Sequence, residues 1–88
     1  MGWHFPLIRP VQKFDDENLV NKVLSELTEF EKETDLNKKA LEAIDVLHSA
    51  ETLVRKFFLK YPSLSFRKRK RQVIEKNKKR GYYKNKRR

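Results

Sequence analysis

Residues 26–45 read ELTEFEKETDLNKKALEAID, which sets one acidic pair, Glu26-x-x-Glu29, twelve residues ahead of a second, Glu42-x-x-Asp45. Each pair falls inside a segment patterned as helix, with a short turn between the two segments. Residues three apart on a helix are surface neighbours, with Cβ atoms roughly 5–6 Å apart. Folding the two helices back on each other as an antiparallel hairpin would therefore bring four carboxylates together. Such a group repels itself unless a cation sits within it. Hard divalent cations, Mg2+ above all with Mn2+ as an alternative, take oxygen ligands of this kind.

Upstream of the first pair, Asp15 or Asp16 is a good N-cap, and Leu19, Val20, Val23, Leu24, Leu27 and Phe30 follow one apolar stripe at helical spacing. Glu26, Glu29 and Glu33 form a second stripe beside it, with Lys22 one turn before Glu26. This helix is expected to stop near Glu33-Thr34. Asp35 or Asn37 then caps a second helix, which runs to about Lys60, where Tyr61-Pro62 ends it. Its apolar residues spread widely, from Ala40 and Leu41 to Phe57 and Phe58. Its one consistently polar face is made by Glu42, Asp45, Ser49, Thr52 and Lys56. A helix apolar over so much of its girth is expected to be central, so a polar face kept on it points to a site. The plain competing reading is a pair of solvated faces with ion pairs to Lys22 or Lys38. His48, a lone histidine one turn beyond Asp45, reads as a packed or hydrogen-bonded residue, since carboxylate-rich Mg2+ sites seldom take imidazole.

At the two ends the chain changes character. Residues 1–14, interrupted by Pro6 and Pro10, read as an irregular strap over the helices, with stacking of Trp3 or His4 on a ligand base as the sharper alternative. A third helix is expected from Ser63 or Ser65 to about Lys79, stopped by Gly81, followed by a basic, frayed tail over residues 81–88. The organisation is thus a strap over 1–14, one helical domain over 15–80 and the tail. Residues 1–60 carry nine Lys/Arg against eleven Asp/Glu, whereas residues 61–88 carry thirteen Lys/Arg against Glu75 alone. Such asymmetry suggests an acidic half suited to metal and a basic half suited to phosphates.

With 88 residues the chain has room for one all-α domain of about three helices and a modest core, which makes oligomerisation an expected remedy. It has no cysteine, which excludes disulfides and thiolate metal sites, and its two glycines exclude a P-loop. No Ser/His/Asp set and no zinc spacing occurs. The longest apolar run is far short of a membrane span, and the start lacks a signal-peptide pattern, so no membrane association and a cytoplasmic location are expected.

Glu26-Leu-Thr-Glu29 followed by Glu42-Ala-Ile-Asp45 resembles the E-x-x-E, spacer, E-x-x-D signature of the MazG-like nucleoside triphosphate pyrophosphohydrolases, all-α enzymes related to the dimeric dUTPases. Lys22-Val-Leu-Ser-Glu26-Leu-Thr-Glu29-Phe resembles their first motif helix, and Leu41-Glu42-Ala-Ile-Asp45-Val-Leu-His48 their second. Glu75-Lys76-Asn77-Lys78-Lys79-Arg80-Gly81-Tyr82-Tyr83 resembles the closing segment of small, phage-encoded members. The resemblance spans roughly residues 17–83.

It implies Mg2+-dependent hydrolysis of a nucleoside triphosphate to a monophosphate and pyrophosphate. Glu26, Glu29, Glu42 and Asp45 would hold the metal, and Glu26 or Glu29 would orient the attacking water or take its proton. Lys76 and Arg80, with Lys22, would hold phosphates. Asn77 would bond phosphate, sugar or base, and Tyr82 or Tyr83 would stack on a base. The shortness of the chain implies that the substrate pocket needs a second subunit, in a homodimer or homotetramer. The run Arg67-Lys68-Arg69-Lys70-Arg71 is more basic than this family pattern requires. It supports a competing, non-enzymatic reading: a binding module that takes nucleic acid or an acidic protein through residues 63–88, including a phage protein that reuses the fold to block a host system.

Overall fold

The computed structural model describes residues 3–6 and 16–83; strap residues 1–2 and 7–14, the alternative cap Asp15 and tail residues 84–88 lie outside the described residues. The chain is all-helical, with no strand among the described residues. It comprises α1 (Asp16–Lys32), α2 (Leu36–Lys60), a 3₁₀ turn (Pro62–Leu64) and α3 (Phe66–Lys79).

Local chemistry sets each boundary. The Asp35 carboxylate accepts from the amides of Asn37 and Lys38 at 2.9 and 3.1 Å and so caps α2. Pro62 ends α2 and opens the 3₁₀ turn, and Ser65 caps α3 by accepting from the Lys68 amide at 3.2 Å. At the far end of α3 the Gly81 amide donates to the Lys78 carbonyl and the Tyr82 amide to the Asn77 carbonyl, each at 3.0 Å. This is a Schellman closure, and it puts Gly81 at φ +76°, a conformation that only glycine adopts freely.

α1 and α2 pack on each other, and the loop between them is tied by Lys39, whose ammonium donates to the carbonyls of Phe30 and Glu33 and sits 4.2 Å from the Phe30 ring centre. The inward line of α1 runs through Leu19 and Glu26, buried, and Val23 and Phe30, half-buried, spaced at i, i+7, i+4 and i+11. Val20, Leu24 and Leu27, expected on the same apolar stripe, face outward with 43 %, 54 % and 45 % of their surface exposed. The cause is angular. They lie about 100° round from that line, and a single partner helix covers only one edge of so wide an arc. α2 is likewise inverted: Ser49, Glu51, Thr52 and Lys56 are buried, whereas Leu41, Ile44 and Leu47 are exposed. Ser49, Thr52 and Lys56 of the polar face of α2 are therefore turned inside, Glu42 is half-buried and Asp45 exposed, and the apolar faces flanking them are uncovered within one chain.

The strap residues Trp3–Pro6 lie across α2 and the start of α3. Glu51 accepts from the His4 and Phe5 amides at 2.8 and 2.9 Å and from His4 Nδ1 at 3.2 Å, while Arg55 donates to the Phe5 carbonyl at 2.7 Å. Trp3 meets the Phe66 ring at 4.9 Å, the Arg55 guanidinium lies 5.1 Å from the Trp3 ring centre, and Phe58 meets Phe66 edge-on.

Candidate metal centre

The packing of α1 on α2 places one carboxylate oxygen each of Glu26, Glu29 and Glu42 within 4.8 Å of one another. Glu26 is 7 % exposed, Glu29 is exposed and Glu42 is half-buried. Glu26 Oε2 takes an ion pair from Lys22 at 2.7 Å, one turn earlier on α1. Its other oxygen, Oε1, is buried without a hydrogen-bond partner, and so is Oε1 of Glu42. Two buried, unpartnered carboxylate oxygens facing a third carboxylate are costly as they stand.

Two ionisation shifts follow from this crowding. Desolvation, then the charges of Glu29, Asp45 and Glu26, push the Glu42 carboxyl above its ordinary value. Lys22 moves above its ordinary value through its hydrogen bond and charge pairing with Glu26, with further help from Glu29 and Asp45. The donor set suits a hard cation: hexacoordinate Mg2+ bonds of about 2.1 Å put ligand oxygens about 3–4 Å apart, a spacing the 4.8 Å group reaches with small side-chain adjustments. Asp45 lies outside the close group. It is exposed, its charge is felt at Glu42, and it lines the adjoining cavity.

That cavity, about 580 Å³, opens between α1 and α2 and is lined by Asn18, Leu19, Lys22, Glu26, Asp45, His48, Ser49 and Thr52. Ser49 and Thr52 spend their hydroxyl protons on the Val46 and His48 carbonyls of their own helix, which lets them be buried beside it. His48 is packed, as expected, with its ring stacked on Phe5 at 4.4 Å. Its Nε2, however, is buried without a partner, so the ring keeps one unspent polar atom at the cavity wall. Asn18 escaped the sequence reading. The signal was there: it precedes Lys22 by four residues and so extends the Lys22–Glu26–Glu29 stripe back by one turn.

The remaining candidates fall elsewhere. Trp3 and His4 contact Phe66 and Glu51, and the strap ring that reaches the cavity wall is Phe5. Lys76 and Arg80 line a separate shallow depression of about 530 Å³ on α3, with Arg71, Gln72, Glu75 and Lys79. Asn77 is half-buried, Tyr83 is exposed, and the Arg80 guanidinium lies 6.0 Å from the Tyr82 ring centre. Within one chain none of these lines the carboxylate cavity. Arg67–Arg71 are all exposed. Comparison with protein families, curated proteins and solved structures returned no match.

Proposed function

We propose that the chain is a divalent-cation-dependent nucleoside triphosphate pyrophosphohydrolase, releasing a monophosphate and pyrophosphate. The observation that carries this reading is the close group of Glu26, Glu29 and Glu42, two of whose oxygens are buried and unpartnered. Glu26, Glu29 and Glu42 hold the ion, with Asp45 beside them. A divalent ion held there would supply charge neutralisation of the phosphates and an acidified water. Whichever of Glu26 and Glu29 is less engaged would orient a water for attack on phosphorus and take its proton. Lys22, charged throughout the neutral range, meets a phosphate oxygen at the mouth of the cavity. The cavity is within the ordinary size range for small-molecule sites and receives the nucleoside, with Asn18 and His48 as polar contacts at its wall.

In this reading α1 and α2 form the antiparallel hairpin, and two or four copies assemble through the apolar faces that one chain leaves bare. Lys76, Asn77, Arg80 and Tyr83 then reach the phosphates and base from a neighbouring copy. The resemblance of both motif helices to the MazG-like enzymes supports the same activity and a cytoplasmic, phage-encoded setting.

The test is pyrophosphate release from a panel of ribo- and deoxynucleoside triphosphates, with and without Mg2+, in wild type and Glu42→Gln. Metal-dependent release that the variant lacks is the expected result. No release from any nucleotide by a folded protein overturns the proposal.

A further inference from the structure

Within one chain the most cationic element of the molecule does not line the carboxylate cavity. α3 carries eight Lys/Arg against Glu75 alone over fourteen residues. It touches the rest of the chain at its first turn, through the 3₁₀ turn and the contacts of Phe66 with Trp3 and Phe58. All eight cations are exposed, and among the described residues neither ion pair involves α3. Counting 100° per residue from Phe66, the stripe Phe66, Val73 and Asn77 faces one way. Arg67, Lys68, Arg71, Lys78 and Lys79 fan over the opposite half.

Such a helix is costly to keep without an anion. Its first turn holds Arg67, Lys68 and Arg69 and no acid, so three cations crowd the positive end of the helix dipole. Like charges also recur at i, i+3 and i+4 along its length, each pair mildly destabilising. A row of phosphates removes both penalties at once.

We propose that α3 is a duplex-DNA-binding helix that grips backbone phosphates. Its fourteen residues make a rod about 21 Å long and about 10–12 Å across, free along most of its length, which matches the roughly 12 Å width of the B-form major groove. The deep, narrow major groove of duplex RNA does not admit it. Single strands are gripped by stacking on aromatic rings, and α3 has none beyond Phe66, whose ring is already engaged by Trp3 and Phe58. Duplex DNA is therefore the polyanion whose shape and charge both fit. This function is separable from the metal centre, since Arg67, Lys68 and Arg71 are not among the residues proposed to reach the nucleotide.

The test is fluorescence anisotropy of the full chain with a labelled, mixed-sequence DNA duplex of 25 base pairs, between 50 and 300 mM NaCl. Five phosphate contacts give a slope of log K against log salt of roughly −4 to −5. The triple substitution Arg67→Gln, Lys68→Gln, Arg71→Gln, all at exposed sites, is expected to lower that slope by about 3 and to weaken binding at 50 mM at least ~10-fold. Circular dichroism establishes that the variant keeps its helices. Glu42→Gln is expected to bind DNA as wild type does, which separates this proposal from the enzyme reading. Absence of binding at 50 mM, equal affinity of the triple variant, or tighter binding of single-stranded DNA, duplex RNA or heparin would each overturn it.

Discussion

Glu42 and Glu51 sit nine residues apart on α2 and face opposite electrostatic fates. Glu42 is surrounded by Glu29, Asp45 and Glu26, and desolvation together with these charges raises its carboxyl above the ordinary value. Removing its charge should therefore have effects of opposite sign. Glu42→Gln is expected to raise the thermal midpoint of the metal-free protein at neutral pH and to weaken Mg2+ binding. A lost ligand should cost more than the 10–100-fold typical of lost outer-shell partners. Differential scanning calorimetry with and without Mg2+ reads both effects; a variant less stable than wild type without metal would show that crowding is not felt. For Glu51, desolvation raises the carboxyl, but hydrogen bonds from the His4 and Phe5 amides and from the His4 ring outweigh it and hold it below the ordinary value. A depressed folded-state value means that the clamp stabilises the protein fully above about pH 4.3, the unfolded value, and loses this contribution as pH falls through the folded value. Acid titration should accordingly release the strap, visible as a red shift in the emission of Trp3, the chain's single tryptophan. Glu51→Ala should produce that shift at neutral pH and cost about 2 kcal/mol in denaturant unfolding, the typical loss for hydrogen bonds to a charged group.

At the scale of the elements, what could be read from the sequence was what local chemistry decides. The ends of all three helices fall within a residue or two of expectation, because Asp35, Pro62, Ser65 and Gly81 act on amides and dihedrals within four residues of themselves. Asp35→Ala should therefore cost about 1 kcal/mol in urea unfolding through loss of the two amide bonds it accepts. A negligible change would mean that α2 is held by packing alone. The acidic cluster was legible in part for the same reason. Spacing fixes Glu26 and Glu29 on one face of α1, and the short connection brings Glu42 to them. Which face of each helix turns inward was not legible. On α1 the arc from Leu19 through Val20, Val23 and Leu24 is wider than one partner can cover, and periodicity does not choose the edge that wins. On α2 the choice fell on Ser49 and Thr52, whose hydroxyls bond back to their own helix and so make burial inexpensive. The placement of α3 was equally hidden, since Phe66 is its only packed side chain among the aromatic contacts.

For the whole molecule, the distribution of apolar surface is the strongest constraint. A single chain exposes 7414 Å², whereas a folded monomer of this mass is expected to expose roughly 5,500 Å². Its radius of gyration is 15.5 Å against about 12 Å for a compact domain of this length. On the described helices the bare apolar surface is specific: Val20, Leu24 and Leu27 on α1 and Leu41, Ile44 and Leu47 on α2 are each 43–67 % exposed. Leu19 is the single apolar residue that is fully buried among the described residues, so one chain alone has almost no dry core with which to offset its chain entropy. Association through these faces is therefore expected to be coupled to folding. Light scattering on a sizing column should give a dimer or tetramer at micromolar concentration, and the thermal midpoint should rise with protein concentration, as mass action requires of a folded state that exists only when assembled. Leu24→Lys with Ile44→Lys puts charge on both bare faces, and should yield a chain that is monomeric and largely unfolded at concentrations where wild type is assembled. A wild-type chain that is monomeric, folded and concentration-independent would mean that the apolar faces of α1 and α2 serve something other than a second copy, and the residues of α3 would then have no neighbouring carboxylate site to reach.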